Sequence, residues 1–278
     1  NQIHMPSVVQ SRIQLAQVEK AMGAPHLARS AEEHGGPHEP WFWDPTTQGG
    51  GVCCDMGCHS IACGMYMVTP AGKPLTYLRP LRVNATMALL KWGKEPWRSQ
   101  LQQRGVDYSK TPAEDYSSVS IEFEDPETKH RSIVQATNSW MYDAPGLRLL
   151  METFGPGYSY TVNSLQSPTG LFISDAAAAA VSDSELALEK SQASRGSLIL
   201  QPDEAGLYGY VAEWIDALNA FEQGRDALLN LAYGKQITLL IMAAYLSHEK
   251  RRVVDLTDPA TLNEIEHYIP LIQQGKGG

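Results

Sequence analysis

The stretch of sequence that decides the fold runs from residue 49 to residue 64 and reads Gly-Gly-Gly-Val-Cys-Cys-Asp-Met-Gly-Cys-His-Ser-Ile-Ala-Cys-Gly. Three glycines precede a run of residues that form helices well, and Pro70 and Gly72 follow that run. Because proline and glycine end helices, the sequence predicts one helix over residues 52–68.

Asp55 and His59 are four positions apart, which places both side chains on one face of that helix, one turn apart. An imidazole titrates near neutral pH and can exchange a proton with a substrate hydroxyl, while a carboxylate beside it orients that hydroxyl. The pair therefore favours acid–base chemistry on a small polar molecule, and the glycines at 49–51 would let that molecule approach the backbone closely. The same spacing is also typical of a solvated surface ion pair.

Composition and charge exclude several classes of protein. The chain has 278 residues, 43% of them hydrophobic, which suffices for a substantial core in one large domain or two small ones. The net charge is −9, so no basic surface is available to neutralise nucleic-acid phosphates. No run approaches the roughly 20 apolar residues that a membrane span needs. The sequence predicts neither nucleic acid nor membrane as a partner.

The cysteines lie close together, between Cys53 and Cys63, and cannot close the long loops that a disulfide framework requires. This spacing favours a reducing, cytoplasmic compartment. The simplest role for these cysteines is small apolar packing. The first residue is Asn1 rather than Met, from which we expect the chain to be part of a longer protein.

The rest of the chain predicts an α+β fold. Strands are expected where short runs near period two are separated by turns, at 26–34, 76–87, 119–123, 132–141, 147–154, 158–163 and 170–174. Consecutive short strands imply an open, mostly antiparallel sheet, and helices flank one of its faces. Before the helix at 52–68, a loop at 35–51 rich in Gly, Pro, Trp and His either lines a pocket or plugs the domain edge.

We expect one domain over residues 1–278. Its parts are a first helix in 1–24, the Asp55–His59 helix with the main sheet in 25–174, a low-complexity surface loop in 175–205, and helices with a last strand in 206–278. In the first helix, Val9 and Ile13 belong to the predicted apolar side. Near the end of the chain, Trp214 and Phe221 are expected to pack on the sheet.

The central motifs resemble a known family. The order Pro37-His38-x-x-Trp41-Phe42-Trp43-Asp44, then Gly49-Gly50-Gly51, then Asp55-Met56-Gly57-x-His59-Ser60-Ile61 is similar to the second-domain signature of the Gfo/Idh/MocA oxidoreductases, the family of glucose–fructose oxidoreductase and inositol dehydrogenase. Weaker similarities are Asn1 with Pro6, Glu152-Thr153-Phe154-Gly155, and Val253-Val254-Asp255-Leu256, so the resemblance spans nearly the whole chain.

The resemblance implies a substrate-binding and oligomerisation domain whose open sheet face forms contacts in a homo-oligomer. The family transfers hydride between NAD or NADP and a sugar or polyol carbon. By carry-over, His59 is the acid/base and Asp55 holds the substrate hydroxyl. Asn1 would lie near the cofactor, and His38 and Trp41 would line the sugar pocket. No metal is implied.

The chain also departs from the family pattern. No Gly-x-Gly-x-x-Gly turn follows a strand, and Lys73-Pro74 lies after the Asp–His helix rather than before it. The N-terminal Rossmann domain is therefore absent from this chain, and the cofactor would be bound mainly by that missing half. Ala62 stands where many relatives carry an acid. We expect the chain alone to be inactive.

Three alternatives stay open. One is an NAD-dependent glycoside hydrolase of the same family, and another is a non-catalytic assembly module that acts through the sheet face. The third is a zinc site on Cys54, Cys58, His59 and Cys63. Four ligands on one continuous helix cannot close a tetrahedron by themselves, which disfavours the zinc site.

Overall fold

The structure, a computed structural model, describes residues 1–143, 146–163, 169–174, 197–200 and 208–276. Its helices are α1 (Pro6–Met22), α2 (Pro45–Gln48), α3 (Val52–Val68), α4 (Trp97–Gln103), α5 (Tyr210–Gln223), α6 (Leu231–Lys250) and α7 (Pro259–Glu266). Short 3-10 turns lie at Gln2–His4, Pro40–Trp43 and Ile272–Gln274. The strands are β1 (Leu27–Glu33), β2 (Arg79–Ala88), β3 (Tyr116–Glu124), β4 (Arg131–Ser139), β5 (Arg148–Gly155), β6 (Tyr158–Asn163), β7 (Thr169–Ile173), β8 (Ser197–Leu200) and β9 (Val254–Asp255).

In the described part of the chain, nine strands form a single sheet in the order β8-β7-β6-β5-β1-β4-β3-β2-β9. Neighbouring strands are antiparallel except β1 and β4, which run parallel with Leu27 opposite Ile133. Parallel neighbours need a long crossover, and the segment between these two strands contains α3. The predicted α+β class and mostly antiparallel sheet are confirmed, with one parallel pair at the centre.

The core lies between one face of this sheet and helices α3 and α6. Helix α3 packs mainly on β1 and β4, and α6 packs mainly on β2. Gly64 on α3 faces β4 so closely that an added Cβ would overlap the side chain of Val134. A glycine at this position therefore sets the close approach of α3 to the sheet.

The opposite face of the sheet is open and polar. Arg82 and Arg131 both form ion pairs with Glu122 across neighbouring strands, and Arg29 donates to Gln135 at 3.1 Å. Side chains therefore alternate between an apolar face under the helices and a charged face, as is common in sheets covered on one side. Among the described residues, no helix combines the length and apolar character required to cross a bilayer.

Several local predictions were wrong. On α1 the buried side carries Val8, Leu15 and Val18, whereas Val9 and Ile13 are exposed. The sequence did not predict α4, which begins at Trp97 directly after Pro96.

Near the end of the chain, Trp214 and Phe221 on α5 do not pack on the sheet, because their exposed fractions are 68% and 87%. Of the loop predicted at 175–205, residues 175–196 and 201–205 lie outside the described residues. The described part, 197–200, is strand β8.

Candidate active site

Four titratable side chains from α3 and β1 meet where the two elements pack together: Glu32 and His34 from β1 and the residue after it, and Asp55 and His59 from α3. We call them the polar cluster. Glu32 Oε2 lies 3.8 Å from His59 Nδ1, and Asp55 Oδ2 lies 3.8 Å from His34 Nε2. The two α3 side chains therefore face the same group of residues rather than pointing apart, as the four-residue spacing predicts.

The Asp55 carboxylate is held by a buried tryptophan. Trp140 Nε1 donates to Asp55 Oδ2 at 3.0 Å, and the Trp140 side chain is fully buried. Its ring packs against Trp43 at a centroid distance of 4.9 Å, and its carbonyl accepts from Trp92 Nε1 at 2.7 Å. Because these rings are locked in the core, the direction of the carboxylate is fixed before any ligand arrives.

Glu32 is buried beneath His59 and accepts a hydrogen bond from Gln2 Nε2 at 2.7 Å. Burial raises the pKa of Glu32 to about 8; the charge of Asp55 adds to this shift and the Gln2 bond opposes it. Burial also lowers the pKa of His59, although Asp55 acts in the opposite direction. Near neutral pH both groups are therefore held predominantly in their uncharged forms.

A cleft of about 870 Å³ is lined by two members of the polar cluster, Glu32 and His34, whereas Asp55 and His59 are not among its lining residues. Its lining also includes the segment 35–38, Arg104 and Tyr142. Arg104 donates to the carbonyl oxygens of Pro37 at 2.9 Å and His38 at 3.3 Å, which holds that segment in place. The volume is typical of a small-molecule pocket, and its lining is rich in hydrogen-bonding groups.

The predicted site residues are distributed unevenly. His38 lines the cleft. Asn1 precedes Gln2, which contacts Glu32, and the Asn1 amide donates to the Tyr208 carbonyl at 2.5 Å. Trp41 does not line the cleft: 49% of it is exposed, and its ring stacks on Phe42. The loop at 35–51 therefore has both of the roles considered for it: residues 35–38 line the cleft, and Trp43 is buried in the core.

The space beside Gly50 and Gly51, just before α3, is filled by side chains of the protein itself. An added Cβ would overlap the Tyr245 hydroxyl at Gly50 and would overlap Glu114 at Gly51. Glu114 satisfies the start of α3: its Oε1 accepts from the backbone N–H groups of Gly51 and Cys53, each at 3.1 Å. The Glu114 carbonyl accepts from Val52 N at 2.9 Å.

Because a buried carboxylate already occupies this helix start, the start of α3 does not fit a dinucleotide pyrophosphate. The expectation that these glycines allow a substrate to approach is wrong, and the reason is packing from distant parts of the chain.

Among the described residues, no group of three or more His, Cys, Asp or Glu side chains has an arrangement that could hold a metal ion. Cys53 and Cys63 are buried. Burial raises the pKa of Cys54 to about 11 and that of Cys58 to about 12, so both thiols are protonated near neutral pH. The zinc alternative has no support in this part of the chain.

Sequence reasoning missed Glu32, Gln2, Trp140 and Glu114. A signal existed for Glu32, because alternation along β1 places it on the same face as Ala28 and Ser30, under α3. A carboxylate at an inward-facing strand position is unusual and indicates a special role. No local pattern indicates that Gln2, Trp140 or Glu114 reaches its partner, because each contact joins distant parts of the chain.

Similarity to known proteins agrees with this architecture. The family model of the GFO/IDH/MocA C-terminal domain matches residues 13–152. None of the curated proteins is significantly similar to the chain in sequence.

Several solved structures share the fold. One is GenD2 from gentamicin A biosynthesis in complex with NAD, with a TM-score of 0.62 and 24% identity, covering 92% of this chain and 62% of that one. Another is levoglucosan dehydrogenase in complex with NADH and levoglucosan, with a TM-score of 0.64 and 17% identity, covering 92% of this chain and 65% of that one. A third is an NAD binding oxidoreductase from Klebsiella pneumoniae, with a TM-score of 0.63 and 15% identity, covering 92% and 65%.

At these identities the structural likeness establishes the fold, and this chain spans less than two thirds of the length of each of these structures. The matched residues 13–152 include the whole polar cluster, the α3 helix and the Trp140 that supports Asp55. The chain therefore belongs to the Gfo/Idh/MocA family and carries its C-terminal domain.

Proposed function

We propose that this chain is the substrate-binding domain of an NAD(P)-dependent oxidoreductase that acts by hydride transfer on a sugar or polyol. The observation that carries the proposal is the polar cluster beside the cleft, in which Asp55 and His59 share one face of α3. The similar structures support the substrate class, because one of them was solved with NADH and levoglucosan.

In this proposal His59 removes the proton from the substrate hydroxyl whose carbon loses hydride, and returns it in the reverse direction. The lowered pKa of His59 keeps the imidazole unprotonated near neutral pH and therefore ready to accept that proton. Asp55, fixed by Trp140, orients the hydroxyl through its carboxylate. His38, on the cleft wall, is a candidate for binding the remaining hydroxyl groups.

A nicotinamide cofactor supplies the acceptor or donor of hydride when it is bound. The start of α3 does not fit its pyrophosphate, so we assign cofactor binding mainly to a part of the protein outside this chain. Within this chain, Asn1 is our candidate for a residue near the cofactor, because it is adjacent to Gln2, which contacts Glu32. We accordingly expect the chain alone to show neither turnover nor micromolar affinity for NAD or NADP, and isothermal titration measures that affinity.

The test of function uses the intact protein with NAD or NADP and a panel of sugars and polyols. Reduction of the cofactor identifies substrates. We expect His59→Asn to lower kcat by roughly 10²–10⁴-fold, and His267→Asn, at an exposed histidine far along the chain, to leave kcat unchanged. Equal activity of the His59→Asn and wild-type proteins would remove His59 from the mechanism.

Product analysis in the same assay separates the glycoside hydrolase alternative. Net cleavage of a glycoside with no net reduction of the cofactor would identify hydrolysis instead of oxidation.

We also propose that copies of the chain associate through the open sheet face. The alternating ion pairs of Arg82 and Arg131 with Glu122 support a polar contact surface. Light scattering at increasing concentration tests this proposal, and a monomer throughout would contradict it.

A further inference from the structure

We propose that Glu32 is a positioning residue for His59: its Oε2 holds the imidazole in the tautomer with the proton on Nδ1, leaving Nε2 to accept the proton of a ligand. Nothing in the family signature assigns a role to this glutamate. The part of the inference that concerns catalysis rests on the function proposed above, whereas the tautomer itself is a property of this chain.

The first argument is the direction in which the two groups face. Glu32 Oε2 is 3.8 Å from Nδ1 of His59. An N–H···O hydrogen bond is shorter, at about 2.7–3.2 Å, so a side-chain movement of less than about 1 Å closes the contact. His59 has room to move because 33% of its side chain is exposed, whereas only 3% of the Glu32 side chain is exposed. The buried partner is the fixed one, and the imidazole adjusts to it.

The second argument is a chain of hydrogen bonds that fixes which atoms of Glu32 and Gln2 face each other. The Cys63 thiol donates to Gln2 Oε1 at 3.3 Å, so the other end of the Gln2 amide, its NH₂ group, points at Glu32. That NH₂ group donates to Glu32 Oε2 at 2.7 Å. Oε2 thus accepts one hydrogen bond and has a second lone pair available toward His59. An atom that acts as an acceptor requires Nδ1 of His59 to carry its proton.

The third argument concerns charge. A carboxylate this close would favour a charged imidazolium, which cannot act as a base. Burial raises the pKa of Glu32 to about 8, so near neutral pH its carboxyl is mostly protonated, with Oε1 as the position left for the proton. Its Oε2 then orients His59 without charging it. The other titratable side chains facing His59 are Asp55 from its own helix, His34 from the segment after β1 and Glu213 from α5.

The fourth argument is that Glu32 and Asp55 contact different partners. Trp140 occupies Oδ2 of Asp55, and His34 approaches the same oxygen. Asp55 is thus held by Trp140 through one oxygen, whereas Oε2 of Glu32 lies between the Gln2 amide and the His59 imidazole. The two carboxyl groups act on different partners: Asp55 on the ligand and Glu32 on His59.

The test is the tautomer of His59 in the chain itself, read from the ¹⁵N chemical shifts of a histidine-labelled sample. The His59 signals are assigned by their loss in His59→Asn. We expect the wild-type chain to show the Nδ1–H form. Glu32→Met, which has a similar volume and no acceptor, is expected to shift His59 to the Nε2–H form. Glu32→Gln retains an acceptor oxygen and is expected to keep the wild-type tautomer.

Glu33→Gln is the matched control, because Glu33 is adjacent on β1 but pairs with Arg148 instead of His59. It should leave the His59 signals unchanged. An Nε2–H tautomer in the wild-type chain overturns the inference without any variant, and so does an unchanged Nδ1–H tautomer in a folded Glu32→Met chain.

In the intact protein, Glu32→Met is further expected to lower kcat by about 10–100-fold with little change in KM, because it disturbs the base rather than ligand binding. If the intact protein oxidises no sugar or polyol but His59 shows the expected tautomers, the proposed function fails while the positioning role of Glu32 survives. If activity is found but Glu32→Met leaves the tautomer unchanged, the positioning role of Glu32 fails while the proposed function survives.

Discussion

Helices α3 and α5 contain similar apolar residues but are used in opposite ways. In α3, most residues are buried between β1, β4 and α6, and the face that remains carries Asp55 and His59. In α5, Ala220 is the buried residue, while Trp214 and Phe221 face outward. An amphipathic sequence therefore does not determine how much a helix contributes to folding. That contribution depends on whether a sheet face is available to cover its apolar side.

The comparison also explains why the site is on α3. The tryptophan that aims Asp55 and the glutamate beneath His59 belong to the core that α3 helps to form. Stability and site geometry thus depend on the same residues. In α5, by contrast, the exposed side chains contribute little to the free energy of unfolding of this chain.

The largest expected effect is at Trp140. Trp140→Ala removes a fully buried ring that packs on Trp43 and donates to Asp55, so we expect the free energy of unfolding to fall by about 3–5 kcal/mol. Urea denaturation measures this. Trp214→Ala on α5 is the matched control, since the same ring is exposed there. Similar losses for the two variants would refute the contrast between the helices.

The next effect is at the start of α3. Glu114→Ala would leave the Cys53 N–H and the Tyr245 hydroxyl without their acceptor and would remove one of two acceptors of the Gly51 N–H, at a cost of roughly 3 kcal/mol in unfolding free energy. Glu114→Gln keeps a carbonyl oxygen in place and should cost less when both are compared below about pH 5. Equal losses in the two variants would show that the hydrogen bonds at the helix start are not what stabilises it.

The stability of the α3 region should also depend on pH. Burial raises the pKa of Glu114 from 4.5 to about 7 and that of Glu32 from 4.5 to about 8. Since the folded state binds these protons more tightly than the unfolded state, this contribution to stability is full below about pH 4.5 and is lost as pH rises toward 7–8. For Glu114 the loss is on the order of 3 kcal/mol.

Urea denaturation across this range measures the slope, and Glu114→Gln should make it shallower. A steeper decline in the variant, or the same decline, would contradict the assignment of the slope to Glu114.

The smallest effect is expected on α5. Phe221→Ala should change the free energy of unfolding by less than about 0.5 kcal/mol, because the ring is 87% exposed. Phe123→Ala on β3, where the ring is fully buried, provides the comparison and should cost several-fold more. A loss at Phe221 close to that at Phe123 would mean that α5 is covered in solution.

Much of the fold could be predicted because its elements follow from local periodicity. The helix at 52–68 has the bounds of α3, and the alternating runs correspond to strands β1 to β7. The Asp55–His59 pair shares one face because four residues span about one turn of any α-helix. These features depend on sequence spacing, which is visible without a structure.

What the sequence determined by itself is therefore the identity and spacing of the α3 pair and the alternation that marks an inward-facing Glu32. The tertiary structure alone decided that Gln2 orients Glu32, that Trp140 aims Asp55, and that Glu114 fills the space beside the glycines at 49–51. Each of these contacts joins distant parts of the chain, brought together by a sheet order in which β1 lies between β4 and β5. The order of strands in the sheet depends on the packing energy of the whole domain. No short stretch of sequence therefore predicts it.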